Sequence, residues 1–83
     1  MAMSANYPAR YAEAMALELT EAEVEAVLQL ANVVAHASER KSAPLSTYLA
    51  GQFVAELVRT GVPRVEALAE AIAVAHRTLD AES

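Results

Sequence analysis

The chain has 83 residues, a formal net charge of -5 at pH 7 and no cysteine. That length allows one small domain, and the missing Cys excludes disulfides, thiolate metal sites and thiol nucleophiles. Six Lys plus Arg against eleven Asp plus Glu make a nucleic-acid backbone a poor partner, because such binding depends on cations that release counterions from phosphate.

Alanine supplies roughly a quarter of the chain and buries little area, so the hydrophobic fraction of 55% overstates the core. A thin core favours self-association, or docking on a larger partner. No window approaches about 18 uninterrupted apolar residues, which argues against a membrane-spanning helix. Met1 to Tyr7 shows neither the basic start nor the apolar stretch of a signal peptide, so the expectation is a cytoplasmic protein.

Asn6 can cap a first helix with Pro8 in its opening turn, and Tyr7, Tyr11, Ala14 and Met15 then share one face. This predicts a helix over 7–17. Thr20-Glu21-Ala22-Glu23 is a capping box that starts a second helix at Glu21. Val24, Val27, Leu28, Ala31, Val34 and Ala35 form its stripe, and Leu30 and Val33 widen it, as expected of a central helix running to about residue 38. The opposite side, Glu21, Glu25, Gln29, Asn32, His36 and Arg40, is a continuous polar ridge.

Ser38 to Ala43 is polar and leads to Pro44, which suits the first turn of a third helix over 44–60, with Ser42 or Ala43 near its cap. Leu45, Tyr48, Leu49, Phe53 and Leu57 are its predicted core stripe. Gly51 inside it costs about 1 kcal/mol relative to Ala, which predicts a close helix crossing as compensation. Gly61 is a C-terminal stop. Pro63 opens a fourth helix over 64–80, with Val65, Leu68, Ile72, Ala75, His76 and Leu79 facing the core. No strand pattern or internal repeat appears, so the fold class is all-α, a compact antiparallel bundle of about four helices in a single domain spanning 1–83.

The polar residues give no recognisable catalytic constellation, and the expectation is a protein that is not an enzyme and needs no cofactor. His36 lies near a helix C-terminus, where it can interact with the last carbonyls, and His76 falls on an apolar stripe, where one hydrogen bond satisfies it. Two His without Cys, and without the His-pair spacing of zinc helices, do not make a metal site. No glycine elbow surrounds a Ser, and Asp80 is the chain's one Asp. Arg40, Lys41, Ser42, Ser46 and Thr47 could hold an anion or nucleotide phosphate at the start of the third helix, since cations, hydroxyls and the helix dipole favour negative charge there. A solvated loop whose Ser caps a helix and whose cations offset Glu39 is the favoured reading of these residues. A phosphopantetheine carrier would need a Ser in an Asp-Ser-Leu context, which neither Ser38 nor Ser46 has.

The stretch Val34-Ala35-His36, Glu39-Arg40 and Ala43-Pro44-Leu45-Ser46-Thr47-Tyr48-Leu49-Ala50-Gly51 resembles a small actinobacterial helical domain family of unknown function. Its pattern is Val-Ala-His, an Arg, Ala-Pro-Leu, a Ser or Thr pair, an aromatic, Leu and Gly. The resemblance covers roughly Tyr7 to Leu57, with Tyr7 where Trp is frequent. It carries over His36, Arg40, Pro44, Leu45, Thr47 and Gly51 as a signature, while Lys41 and Gln52 depart from it. Members of that family are sometimes joined to the C-terminus of nucleotidyltransferases resembling molybdenum cofactor guanylyltransferase. The resemblance therefore implies an accessory domain with a protein partner, a nucleotidyltransferase of molybdenum cofactor biosynthesis, docking around His36 to Gly51. A homo-oligomer is the separate expectation from the thin core.

Overall fold

The computed structural model describes residues 7–82 and is all-α, a bundle of four helices. In chain order they are α1 (Tyr7–Ala14), α2 (Glu21–Ala37), α3 (Ser42–Arg59) and α4 (Arg64–Glu82). The connections 38–41 and 60–63 are short, so successive long helices fold back on one another. α2, α3 and α4 each pack against the other two, whereas α1 has no helix in close backbone contact. α2 is therefore one of three equal members rather than a central helix.

Local chemistry sets the helix ends. At the start of α2 the Thr20 hydroxyl accepts the Glu23 N–H at 3.2 Å, and the Glu23 carboxylate accepts the Thr20 N–H at 2.9 Å, the predicted reciprocal capping box. α3 ends with Gly61 at φ 107°. There the Gly61 N–H reaches the Val58 carbonyl and the Val62 N–H reaches the Leu57 carbonyl, a Schellman closure that needs a left-handed residue.

α1 stops at Ala14 rather than at residue 17 because the same closure occurs without glycine. Ala16 has φ 60°, its N–H bonds to the Glu13 carbonyl, and the Leu17 N–H bonds to the Ala12 carbonyl. The proposed Asn6 cap lies outside the described residues. At the other end α4 continues through Ala81 and Glu82, beyond the predicted end at 80 and into the tail expected to fray.

The core is as thin as the composition implies. Its buried apolar residues are Ala12, Leu30, Val34, Ala67, Leu68 and Ala71. The faces turned inward differ from several predicted stripes. On α2, Leu30 and Val34 are buried while Leu28 is exposed, and the polar ridge from Glu21 to His36 faces solvent throughout. On α4 the inward face has rotated towards Ala67 and Ala71, which leaves Val65 and His76 exposed. Small side chains permit a close helix approach, and His76 keeps its polar ring in water.

The largest departure is α3. Its inward residues are Ser46, Ala50, Val54 and Leu57, all partly exposed, and none of its residues is buried. Of the predicted core stripe only Leu57 turns inward, while Leu45, Tyr48, Leu49 and Phe53 are exposed. Gly51 is exposed and a Cβ there would meet nothing within 4 Å, so the expected close crossing does not occur within the chain. The face of α1 is open in the same way: Tyr7 and Tyr11 stack on each other at 5.7 Å between ring centroids, and Ala12 is the one buried residue of that helix.

Glu23 has a second role. It is 8% exposed and forms an ion pair with Arg64 in the first turn of α4, so one carboxylate ties the beginnings of α2 and α4 together. The Thr20 backbone N–H holds the Glu23 carboxyl below the usual 4.5, Arg64 pulls it further the same way, and burial opposes both.

Two outcomes are expected. Replacing Ala16 by Gly removes the left-handed strain on a residue with a Cβ and should stabilise the α1 closure by about 0.5–1 kcal/mol, read as a higher urea midpoint or greater amide protection in α1. Because Glu23 is more acidic when folded than when unfolded, its contribution is fully present above the ordinary carboxylate pKa and disappears as pH falls through the lowered folded value. Glu23→Gln should therefore cost about 1–2 kcal/mol at pH 7, and the gap to the wild type should narrow in urea titrations as pH falls below the ordinary carboxylate pKa of 4.5.

Candidate interaction surface

The segment picked out by the sequence comprises the end of α2, the connection 38–41 and the first half of α3. α2 closes where the Ser38 N–H bonds to the Val34 carbonyl at 2.8 Å. One turn earlier, His36 lies on the exposed ridge with its Nδ1 2.9 Å from the Asn32 carbonyl oxygen. A carbonyl can only accept, so Nδ1 carries the hydrogen in this bond.

α3 begins two residues before Pro44, with Lys41 at its N-cap in helical conformation and with no side-chain cap. The Ser42 N–H reaches the Glu39 carbonyl at 2.9 Å and the Ala43 N–H reaches the Arg40 carbonyl at 3.2 Å. These turn bonds carry the helix upstream and hold Ala43 helical despite the proline after it. Pro44 then occupies the third helical position, where its missing N–H costs nothing, and its carbonyl accepts the Thr47 hydroxyl at 2.9 Å.

The candidate residues separate onto different sides of α3. Arg40, Pro44, Thr47 and Gly51 follow at spacings of four, three and four residues, hence on one flank; all but the half-buried Thr47 are exposed. Ser42 and Ser46 turn the other way and line a groove of about 400 Å³ between the long helices, with Leu30 and Val34 from α2 and Val74 and Leu79 from α4 on its walls. The Ser42 hydroxyl is 3.3 Å from that of Ser38. Leu45, Tyr48 and Leu49 form an exposed arc that runs into the groove through Leu49 and Phe53. The Tyr48 hydroxyl accepts from the Gln52 amide at 3.4 Å.

Charge is sparse on this surface. Lys41 lies 3.9 Å from Glu39, both largely in solvent, a pair that contributes little to stability. Within α3 the charged residues are Glu56 and Arg59, which pair with each other in the last turns. The arc from Leu45 to Phe53 therefore carries no formal charge in a chain of net charge -5. Among the described residues no group of three His, Asp or Glu side chains could hold a metal ion, and no helix is long and apolar enough to cross a membrane.

Sequence reasoning located the segment but missed two features. The Glu23–Arg64 pair joins residues distant in the chain, and only the capping half of it has a local signature. The groove is built from positions on three helices, and its Leu49 and Phe53 carry the apolar spacing of an interior stripe.

Comparison with curated proteins and with solved structures finds no match for this chain. A protein-family model described as a domain of unknown function, DUF6457, matches residues 4–83, which include every helix and the whole surface from His36 to Gly51. The chain belongs to the DUF6457 family.

Proposed function

We propose that this domain is a non-catalytic accessory module that binds a protein partner through the surface from His36 to Gly51, centred on the Arg40, Pro44, Thr47 and Gly51 flank of α3. The observation that carries the proposal is α3 itself, a helix with apolar residues both inside and outside and no fully buried side chain. Helices that are apolar all round are normally covered, and exposed apolar patches rimmed by polar groups mark binding surfaces. The partner class comes from the resemblance alone: a nucleotidyltransferase of the molybdenum cofactor guanylyltransferase kind, acting with this domain in the cytoplasm.

The runner-up, an anion- or nucleotide-binding module, has less support. At the start of α3 the Ser42 and Ala43 N–H groups already have carbonyl partners and Pro44 has no N–H, so the usual main-chain donors of a helix N-terminus are not available to an anion. The hydroxyls of Ser42 and Ser46 also turn away from the Thr47 flank.

In a pull-down with the tagged domain from lysate of its source organism, a nucleotidyltransferase should co-purify and be lost, at least tenfold, from an Arg40→Ala, Thr47→Ala double variant that keeps its helical spectrum. Recovery of the domain without such an enzyme would remove that partner. Phosphate or nucleotide titration at millimolar concentration should leave the amides of Ser42 to Thr47 unshifted.

A further inference from the structure

The outer arc of α3 and the groove beside it fit a particular occupant. Leu45 is 63% exposed, Tyr48 68%, Leu49 61% and Phe53 38%. At about 200 Å² for a fully exposed large side chain, these four alone leave roughly 450 Å² open, the size of the largest apolar patch on a typical monomer, which is often functional. A stable symmetric pair needs about 800 Å² from each partner. The groove walls at Val74, Ala75 and Leu79 continue the same surface onto α4 and supply part of the remainder, with the exposed polar neighbours Gln52 and Thr78 adding to it.

We propose that the domain is a two-fold homodimer in which α3 of each copy lies antiparallel against α3 of the other, with the Leu45 and Tyr48 ridge of one copy over the α3–α4 groove of its mate. A two-fold contact must be self-complementary, and here a ridge and a trough lie side by side on one surface. Electrostatics selects the same face. Two chains of charge -5 repel wherever carboxylates meet, and α3 between Ser42 and Ala55 has no charged residue.

An axis near Leu49 sets Leu45 opposite Phe53 of the second copy. It also brings Lys41, at the positive end of one helix, towards Glu56 at the negative end of the other. The self-pairing and the accessory reading both start from the exposed apolar residues of α3, but the pairing buries the arc and groove and leaves the Arg40, Pro44, Thr47 and Gly51 flank at its edge.

Sedimentation equilibrium of the full chain from about 10 to 500 µM tests it, with an expected mass twice the 8.8 kDa of one chain. Leu49→Glu puts two carboxylates at the axis and should weaken the dimer at least 100-fold while leaving helical circular dichroism intact. Glu66→Gln on α4 should leave the mass unchanged. Because the chain has no Cys, Leu49→Cys provides a lone thiol that should form a disulfide-linked dimer under mild oxidation, unlike Ala69→Cys on the exposed side of α4. The cross-link decides the matter if Leu49→Glu does not fold. A wild type that stays at single-chain mass at 500 µM overturns the proposal, and so does a dimer indifferent to Leu49→Glu or a Leu49→Cys chain that cross-links no faster than Ala69→Cys. A monomer that still recovers a nucleotidyltransferase through Arg40 and Thr47 would remove the dimer and keep the accessory role.

Discussion

Burial of apolar side chains between α2, α3 and α4 has to offset an ordering cost of about 1–2 kcal/mol for each backbone residue, and here few large side chains contribute to it. Three of the six buried apolar residues are alanines. Ala67 and Ala71 on α4 let the helices approach closely, and all three remove little surface from water. The chain compensates with local order: a reciprocal capping box, two Schellman closures and good helix formers along most of its length. Its helices are thus well specified one by one, while their mutual packing leaves leucines and tyrosines outside.

Glu23 connects these two levels. The carboxylate that completes the cap of α2 also receives Arg64 at the start of α4, so the interaction that begins one helix sets where another one begins. It is the most buried charged group among the described residues, and its partners lie at the opposite end of α2 from the candidate surface. The end fixed by Glu23 and the candidate surface are therefore at different ends of the bundle.

Much of this was legible in the residues. Thr20 to Glu23 and Gly61 announced helix ends because the side-chain chemistry at those points admits few alternatives, and the alternation of polar and apolar positions gave the all-α class. The ridge from Glu21 to His36 was legible because charge and amide groups exclude the interior. The inward face of α3 was not, since a helix with Leu45, Leu49 and Phe53 on one side and Ala50, Val54 and Leu57 on another gives two answers to the same periodicity, and the larger residues suggested the wrong one. Ala16 was hidden because an alanine in a left-handed position has no sequence signal. The candidate segment was found from its composition and its resemblance, but the sorting of Thr47 and Gly51 to one flank and of Ser42 and Ser46 to the groove needed the helix start at Ser42, two residues before the proline suggested.

The isolation of α1 bears on how the molecule opens. A helix of eight residues with Ala12 as its one buried side chain and no neighbouring helix in close contact has little cooperative link to the other three. Its amides should exchange with solvent through local opening, at a free energy set by the Tyr7–Tyr11 stack and the turn at Ala16, and well below that of the three-helix unit. The chain is then two thermodynamic bodies of unequal size. A ligand or partner that gripped Tyr7, Tyr11 and Met15 would couple them, and would be detected first as slowed exchange in a segment it had only to hold in place.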